Sequence, residues 1–153
     1  ALFLFIIIAL MFIDLFHMIL PDELTVGGAA VFLVYAFFNP NISVLNAFAS
    51  ALGGALFFAA LYFYYLKVRK IEGLGFGDVK MMLLMGAYLG VANTVVAIMI
   101  ASFSGLLVGL FFIVFRKKTL KYALPFGTFL GLGSYISLFW GMEILVMIRS
   151  NLT

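Results

Sequence analysis

The chain divides into apolar stretches separated by short breaks that contain proline, asparagine, glycine and charged residues. Asn39-Pro40-Asn41 and the glycine-rich stretch 72–78 are examples of such breaks, and both are typical of turns. Long apolar runs, unlike alternating segments of about ten residues, are typical of helices that cross a membrane. The pattern therefore predicts six helices, which cover 1–20, 25–38, 42–66, 78–89, 94–115 and 123–148.

Composition places these helices in lipid. Of the 153 residues, 67% are hydrophobic and 10% are charged, whereas soluble domains carry about 25% charged residues. A soluble fold of this size has too little interior to bury so much apolar surface. In lipid every backbone polar group must be paired within the protein, which leaves helices or a closed barrel. We therefore predict an all-α polytopic membrane protein with about six transmembrane helices, in which residues 1–153 form a single membrane-embedded domain.

The basic residues predict the orientation of the helices. If successive helices cross in opposite directions, one side of the membrane receives Lys67, Arg69, Lys70, Lys80, Arg116, Lys117, Lys118 and Lys121. The other side receives only Arg149. Because basic loops favour the cytoplasmic side, we predict that the first side faces the cytoplasm and that both termini lie outside. The net charge of +3 is then explained by topology and does not indicate nucleic-acid binding.

Several kinds of site are disfavoured by residue content. The chain has no cysteine, which excludes disulfides, thiolate metal sites and a cysteine nucleophile. His17 is the single histidine, and zinc sites usually take three or four His, Cys or carboxylate ligands, so we expect no metal site. The aromatic content of 18% suits contact with membrane lipid and requires no cofactor.

Asp14 needs an explanation because apolar residues flank it on both sides within the first predicted helix. A carboxylate costs roughly 2.5–3.5 kcal/mol at the centre of a membrane helix, and less near the interface. Intramembrane acids often mark functional sites. A structural interpretation, in which the side chain only reaches the interface, stays open.

Asp78 follows three glycines in the segment 73–80, GLGFGDVK, at the start of the fourth predicted helix. One interpretation is a simple helix N-cap. The predicted topology, however, places Asp14 and Asp78 at similar depth on the same side of the membrane. If the first and fourth helices pack together, the two carboxylates face each other across a water. One can then act as base and the other as acid, sharing one proton as in aspartic proteases.

Three segments resemble those of a known family. The stretch 13–25, with Asp14 and the sequence PDELT, resembles the first-aspartate region of type IV prepilin peptidases. The segment 73–80 is similar to their Gly-x-Gly-Asp-x-Lys segment, and Pro125-Phe126-Gly127 resembles a Pro-Phe-Gly segment near their last helix. The three segments occur in the family order, and the resemblance covers nearly the whole chain.

The resemblance implies that Asp14 and Asp78 are the catalytic pair of an intramembrane aspartic endopeptidase. It also implies supporting roles for Gly75, Gly77 and Lys80 within the second motif. The expected reaction is removal of the basic leader, just after a glycine, from prepilins or pilin-like secretion subunits. We expect the enzyme in the inner membrane of a prokaryote, with the active site facing the cytoplasm.

A basic leader calls for acidic partners, and the acids predicted in cytoplasmic turns are Asp22, Glu23 and Glu72.

The chain departs from the family pattern in two ways. Many members carry a second aspartate two positions after the first, where this chain has Phe16. Larger members also carry an upstream segment with four zinc-binding cysteines, linked to N-methylation. We expect either a peptidase-only member or an upstream segment outside this sequence, and the non-methionine start favours the second.

Two other classes remain as alternatives. Signal peptide peptidases and presenilins also use a Gly-x-Gly-Asp aspartate, but they pair it with a Tyr-Asp on the preceding helix and carry a later Pro-Ala-Leu, and neither occurs here. A subunit of a proton-coupled transporter would also carry intramembrane acids. Transporters tend to place such acids near the midplane and to contain repeats, and no repeat is evident in this chain.

Overall fold

The structure is a computed structural model that describes residues 1–69, 75–116 and 125–152. The regular elements in these ranges are all helical, without a strand, which confirms the all-α prediction. They are α1 (Leu2–His17), α2 (Asp22–Ala36), α3 (Val44–Tyr64), a π-helical turn that extends α3 (Tyr65–Arg69), α4 (Phe76–Arg116) and α5 (Phe126–Leu152). Five charged residues used in the sequence predictions lie outside the described residues: Lys70, Glu72, Lys117, Lys118 and Lys121.

The turn between α1 and α2 lies about three residues earlier than the apolar pattern predicts. Met18 ends α1 in the left-handed conformation, with φ 53° and ψ 35°, and its N–H donates to the carbonyl of Asp14. Pro21 precedes α2 directly, and its ring favours an extended residue before it. Asp22 and Glu23 occupy the first turn of α2, where the positive end of the helix dipole stabilises their charges.

α4 turns back on itself at Gly90, which has non-helical dihedral angles of φ 71° and ψ 173°. Before this break, Gly86 packs so closely on α3 that an added Cβ would lie 2.5 Å from the backbone N of Ala51. After the break, Thr94 accepts a hydrogen bond of 3.0 Å from the hydroxyl of Ser50, also on α3. Neighbouring residues of α3 thus contact both halves of α4, 76–89 and 91–116, which run in opposite directions. The reversal that the sequence predicts at 90–93 is therefore present, but it is confined to Gly90, and residues 91–93 already belong to the second half of α4.

The second half of α4 pairs with α5 in the antiparallel sense. Gly133 approaches α4 so closely that an added Cβ would lie 2.2 Å from the carbonyl oxygen of Ala97. Towards the start of α5, the ring of Phe129 lies 3.6 Å from the Cβ position of Gly105. Small residues therefore let both partner helices approach α4, as is typical of helix packing in membranes.

The interior of the bundle is apolar and rich in methionine. Its most deeply buried large apolar side chains are Phe3, Ile7, Leu10, Met81, Met82, Leu84, Met85 and Leu130. Many large apolar side chains are also exposed on the outside, including Phe38 at 80% and Leu45 at 79% of their full accessible surface. An apolar exterior of this kind suits lipid and would be unfavourable in water.

Three of the described helical stretches are long and apolar enough to cross a membrane: Val44–Val68, Phe76–Val114 and Phe126–Asn151. α1 is a shorter apolar helix. Because the stretch Phe76–Val114 contains the two antiparallel halves of α4, the described residues form six helical segments. The number of these segments that cross the membrane, and the side on which the termini lie, stay predictions from the sequence.

Candidate active site

The end of α1 and the starts of α4 and α5 meet at one end of the bundle. Leu20, which follows α1, lies between two glycines. A Cβ added to Gly77 would come within 3.0 Å of the Leu20 Cβ, and a Cβ added to Gly127 would come within 3.0 Å of the Leu20 Cδ1. We call this region the carboxylate end and define it by Asp14, Leu20, Asp78, Gly127 and Thr128.

Asp14 is buried, with 6% of its surface exposed, although it lies in the last turn of α1. Its Oδ2 accepts a hydrogen bond of 2.7 Å from the backbone N–H of Thr128 and one of 3.2 Å from the Thr128 hydroxyl. Thr128 is in the first turn of α5, where free N–H groups and the helix dipole favour an anion. The start of α5 therefore offsets the cost of burying a carboxylate at the negative end of α1.

Asp78 is also buried, with 5% exposed, and is the third residue of α4. Its Oδ2 accepts a hydrogen bond of 3.1 Å from the backbone N–H of Gly75. The helix begins at Phe76, so Gly75 occupies the N-cap position and Asp78 reaches back to it from the first turn, as an acidic residue does in a capping box. The interpretation of Asp78 itself as the N-cap is therefore wrong.

The two carboxylates lie on either side of one leucine side chain. Leu20 lies against both Gly77, which directly precedes Asp78, and Gly127, whose Cβ position is 2.9 Å from the Asp14 Oδ2. The backbone of α1 packs mainly on α5 and α2 rather than on α4. α1 reaches α4 through side chains such as Phe3, which stacks on Tyr88 with ring centroids 4.1 Å apart. Asp14 at the end of α1 and Asp78 at the start of α4 thus lie in the same region of the bundle, around Leu20.

In each aspartate, only one of the two carboxylate oxygens accepts these hydrogen bonds. Oδ2 accepts the hydrogen bonds in both residues, and Oδ1 accepts none from a described side chain or backbone group. Within the described part of the chain, Asn93 Oδ1 is the only side-chain N or O atom that is both fully enclosed and unpaired. Oδ1 of Asp14 and Oδ1 of Asp78 are therefore not sealed off, and each can be reached by a small molecule such as water.

Lys80 pairs with Asp22 across the start of α2 and α4. Its Nζ lies 2.5 Å from Asp22 Oδ1, and it also lies 5.2 Å from the centroid of the Phe76 ring. Asp22 was predicted to contact a basic leader, and it already has this cationic partner. Glu23 is exposed and makes no ion pair with a described residue. Glu72, the third predicted leader contact, lies outside the described residues.

The structure adds two residues that the sequence did not single out. Thr128 provides both hydrogen-bond donors to Asp14, and Leu20 fills the space between the glycines of the second and third motifs. The segment Pro125-Phe126-Gly127 was a usable signal, since Thr128 follows it directly. A threonine at the start of an apolar helix does not by itself indicate a functional site. Thr128 becomes relevant only because it donates hydrogen bonds to Asp14.

Comparisons with known proteins agree with this geometry. Residues 1–110 match the type IV leader peptidase family. A prepilin leader peptidase/N-methyltransferase of Aeromonas hydrophila is 32% identical over 139 residues, 91% of this chain and 48% of that protein. A protein of the same name from Legionella pneumophila is 35% identical over 141 residues, 92% of this chain and 49% of that protein.

The chain thus spans about half the length of these curated relatives. No solved structure is similar enough to be matched to it. The apolar helices and the bacterial relatives together indicate a bacterial membrane protein.

Proposed function

The chain belongs to the type IV leader peptidase family, and on this premise we propose that it is an intramembrane aspartic endopeptidase. Its substrates are prepilins or pilin-like secretion subunits, from which it removes the basic leader at the cytoplasmic face of the inner membrane. The observation that carries this proposal is the burial of two carboxylates, Asp14 and Asp78, in the same region of the bundle around Leu20. Asp14 accepts the backbone N–H of Thr128 in the first turn of α5, and Asp78 accepts that of Gly75 directly before α4.

The proposed chemistry uses one water and both carboxyl groups. Asp14, which accepts two donors on Oδ2, is favoured as the ionised member, because hydrogen bonds to a carboxylate stabilise its charged form. Asp14 Oδ1 removes a proton from the water, whose oxygen adds to the carbonyl carbon of the scissile peptide. Asp78, in its neutral form, gives its proton to the carbonyl oxygen.

The second step returns both groups to their starting states. The proton held by Asp14 passes to the amide nitrogen, and the C–N bond breaks. A hydroxyl of the tetrahedral intermediate gives its proton back to Asp78 as the new carboxyl group forms. The balance is one water consumed and one peptide bond hydrolysed, without an oxidant or a metal in any step.

The basic leader is proposed to contact the acids next to this site. Glu23 is the strongest candidate, because it is exposed in the first turn of α2, beside the paired Asp22. Asp22 is also proposed to contact the leader, and its charge is at the same time paired with Lys80. Glu72 remains a further proposed contact.

Cleavage of a synthetic prepilin-like substrate by the purified chain in detergent tests the proposal. The substrate carries a basic leader, a glycine and an apolar helix, and the variants are Asp14→Asn and Asp78→Asn. Loss of either group should lower the rate by about 10²–10⁴-fold, the range for a positioned acid or base. His17→Gln, an exposed change one turn from Asp14, serves as the matched control and should retain activity.

Thermal melting in detergent distinguishes lost chemistry from lost folding. The proposal requires that both Asn variants melt close to the parent while cleaving far more slowly. Undiminished cleavage by either folded variant would remove that aspartate from the mechanism. A folded parent chain that does not cleave any prepilin-like substrate would instead favour either a requirement for a segment outside this sequence or a transport role for the two acids.

A further inference from the structure

The hydroxyl of Thr128 has two acceptors at the same distance. Its Oγ1 lies 3.2 Å from Asp14 Oδ2 and 3.2 Å from the backbone carbonyl oxygen of Met11 in α1. A threonine hydroxyl has one proton to donate and two lone pairs that accept. It can therefore donate to only one of these oxygens at full strength at any moment.

The two orientations of this hydroxyl correspond to the two protonation states of Asp14. When Asp14 is ionised, the hydroxyl donates to Oδ2 as a charge-assisted hydrogen bond. When Asp14 carries a proton on Oδ1, Oδ2 is an uncharged and weaker acceptor that keeps the hydrogen bond from the Thr128 N–H, and the hydroxyl then donates to the Met11 carbonyl. In both states each polar atom keeps a partner, so neither state leaves an unpaired buried group.

The backbone N–H of Thr128 is bound to the same carboxylate oxygen. It lies 2.7 Å from Asp14 Oδ2 and also 3.2 Å from the carbonyl oxygen of Pro125. This bond fixes Oδ2 to the start of α5 whichever way the hydroxyl points. Gly127 makes room for Asp14 at the start of α5, since a Cβ at this position would lie only 2.9 Å from Oδ2.

We propose that Thr128 is a positioning residue whose hydroxyl rotates between Asp14 Oδ2 and the Met11 carbonyl as Asp14 loses and gains a proton. The rotation keeps the carboxyl group in one place through the catalytic cycle and leaves Oδ1 as the oxygen that meets water. This inference rests on the proposed function, because it assigns a proton cycle to Asp14. No bond other than hydrogen bonds forms or breaks at Thr128.

Three variants of the full chain test the proposal with the prepilin-like substrate: Thr128→Val, Thr128→Ser and Ser134→Ala. Valine keeps the shape of threonine and the backbone N–H but removes the hydroxyl, whereas serine keeps the hydroxyl. Ser134 is the matched control, because it is a fully buried hydroxyl on the same helix that donates within that helix to the Leu130 carbonyl at 2.8 Å. It has no contact with the aspartates that the structure records.

We expect Thr128→Val to lower kcat by about 10-fold or more, which is the size of one hydrogen bond to a charged group. KM should stay within about 2-fold, since Thr128 is not proposed to touch the substrate. Thr128→Ser should recover kcat to within about 3-fold, and Ser134→Ala should leave both constants unchanged. A residue needed only for packing would show the opposite order, because valine fills the site better than serine.

Infrared spectroscopy gives a second readout that does not depend on cleavage. The antisymmetric stretch of an ionised carboxylate reports its hydrogen bonds, and Asp14→Asn identifies the Asp14 contribution by its loss. Thr128→Val should shift this band, and Thr128→Ser should restore it.

The outcomes separate this inference from the proposed function. Unchanged kcat and an unchanged band in Thr128→Val, with Asp14→Asn inactive, would overturn the role of Thr128 and keep the two-aspartate mechanism. Full activity of Asp14→Asn would overturn the mechanism itself. In that case a band shift in Thr128→Val would report only the contact between the two side chains, and the proposed proton cycle would be rejected.

Discussion

The bundle buries polar groups beside a glycine at both of its ends, but with different chemistry. At the carboxylate end, Gly127 lies against Asp14. At the other end, Gly141 lies against Asn93, with an added Cβ 2.5 Å from the Asn93 Oδ1. We call this second region the break end and define it by Asn46, Ser50, Gly90, Asn93, Thr94, Ser137 and Gly141.

The break end uses neutral hydrogen bonds to hold the reversal of α4. Val91 N–H, which loses its helical partner at the break, donates to Asn46 Oδ1 at 3.0 Å. Ser137 donates to the backbone carbonyl of Asn93 at 2.6 Å. Such groups satisfy backbone atoms that a break in a membrane helix frees.

The comparison teaches that burial of polar groups does not by itself indicate a reactive site. Both regions bury polar atoms, yet the side chains of the break end are amides and hydroxyls, which neither gain nor lose a proton near neutral pH. The carboxylate end contains two buried acids, which can gain and lose a proton. The same chemical change made at the two ends should therefore affect different properties of the protein.

The largest expected contrast comes from adding one methyl group at each end. Gly127→Ala places a Cβ 2.9 Å from Asp14 Oδ2 and 3.0 Å from Leu20 Cδ1, so the carboxylate or the leucine must move. A displacement of about 1 Å at a catalytic group can cost about 100-fold in rate. We expect a loss of this size in the cleavage assay.

Gly141→Ala should instead lower the melting temperature and leave the rate per folded molecule unchanged. Its added Cβ meets Asn93 Oδ1 and lies 2.9 Å from the Ser137 hydroxyl, far along α5 from Asp14. Gly53→Ala is the control for both, because nothing lies within 4 Å of its Cβ position. Equal losses of activity in Gly127→Ala and Gly141→Ala would contradict the proposal that only the carboxylate end controls cleavage.

A moderate effect is expected from the ion pair that joins α2 to the first turn of α4. Lys80→Met and Asp22→Asn should each slow cleavage by a few-fold, because the pair holds the turn that carries Asp78. Asp22 is 63% exposed, so water screens the pair, and a coupling of about 0.2–1 kcal/mol is the typical range. A double-mutant cycle on kcat/KM measures it.

The same double-mutant cycle, measured with a basic and with a neutral substrate leader, distinguishes two roles of Asp22. If Asp22 acts only through Lys80, its loss should cost the same with a basic and a neutral leader. A larger cost with the basic leader would assign the carboxylate to leader binding. Strict additivity of the two variants would show that the ion pair has no influence on the site.

The smallest effect is expected from the hydrogen bond between Ser50 and Thr94 at the break end. Ser50→Ala removes the donor, and Thr94→Val removes the acceptor. Hydrogen bonds between membrane helices average about 0.6 kcal/mol in such tests. We expect a small decrease in unfolding free energy, measured by denaturant titration in mixed micelles, and unchanged cleavage. A large loss of cleavage would show that the break end controls the site.

Much of the site could be predicted from the sequence because charge in an apolar chain is rare and costly. Asp14 and Asp78 were identified from their surroundings, and the structure brings both to one end of the bundle. The resemblance to prepilin peptidases is confirmed by the family match. The catalytic roles of Asp14 and Asp78 stay predictions, as do the supporting roles of Gly75, Gly77 and Lys80.

Other features could not be predicted because their meaning depends on a distant partner. Thr128 is 114 positions from Asp14 along the chain. Lys80 could be recognised as part of a motif, but its partner Asp22 follows only from the packing of α2 on α4. Spacing along a sequence carries no information about such contacts unless the helices involved are already placed.

The sequence by itself determined that this protein is an apolar, all-helical chain with turns near Pro21, Asn39 and Gly90. Each of these follows from local physical chemistry: lipid as solvent, backbone pairing, and the conformations that proline and glycine allow. The tertiary structure alone decided that the start of α5 supplies the donors to Asp14. Only packing decides this, because a helix start stabilises a carboxylate within about one turn, and no local rule fixes which helix start lies that close.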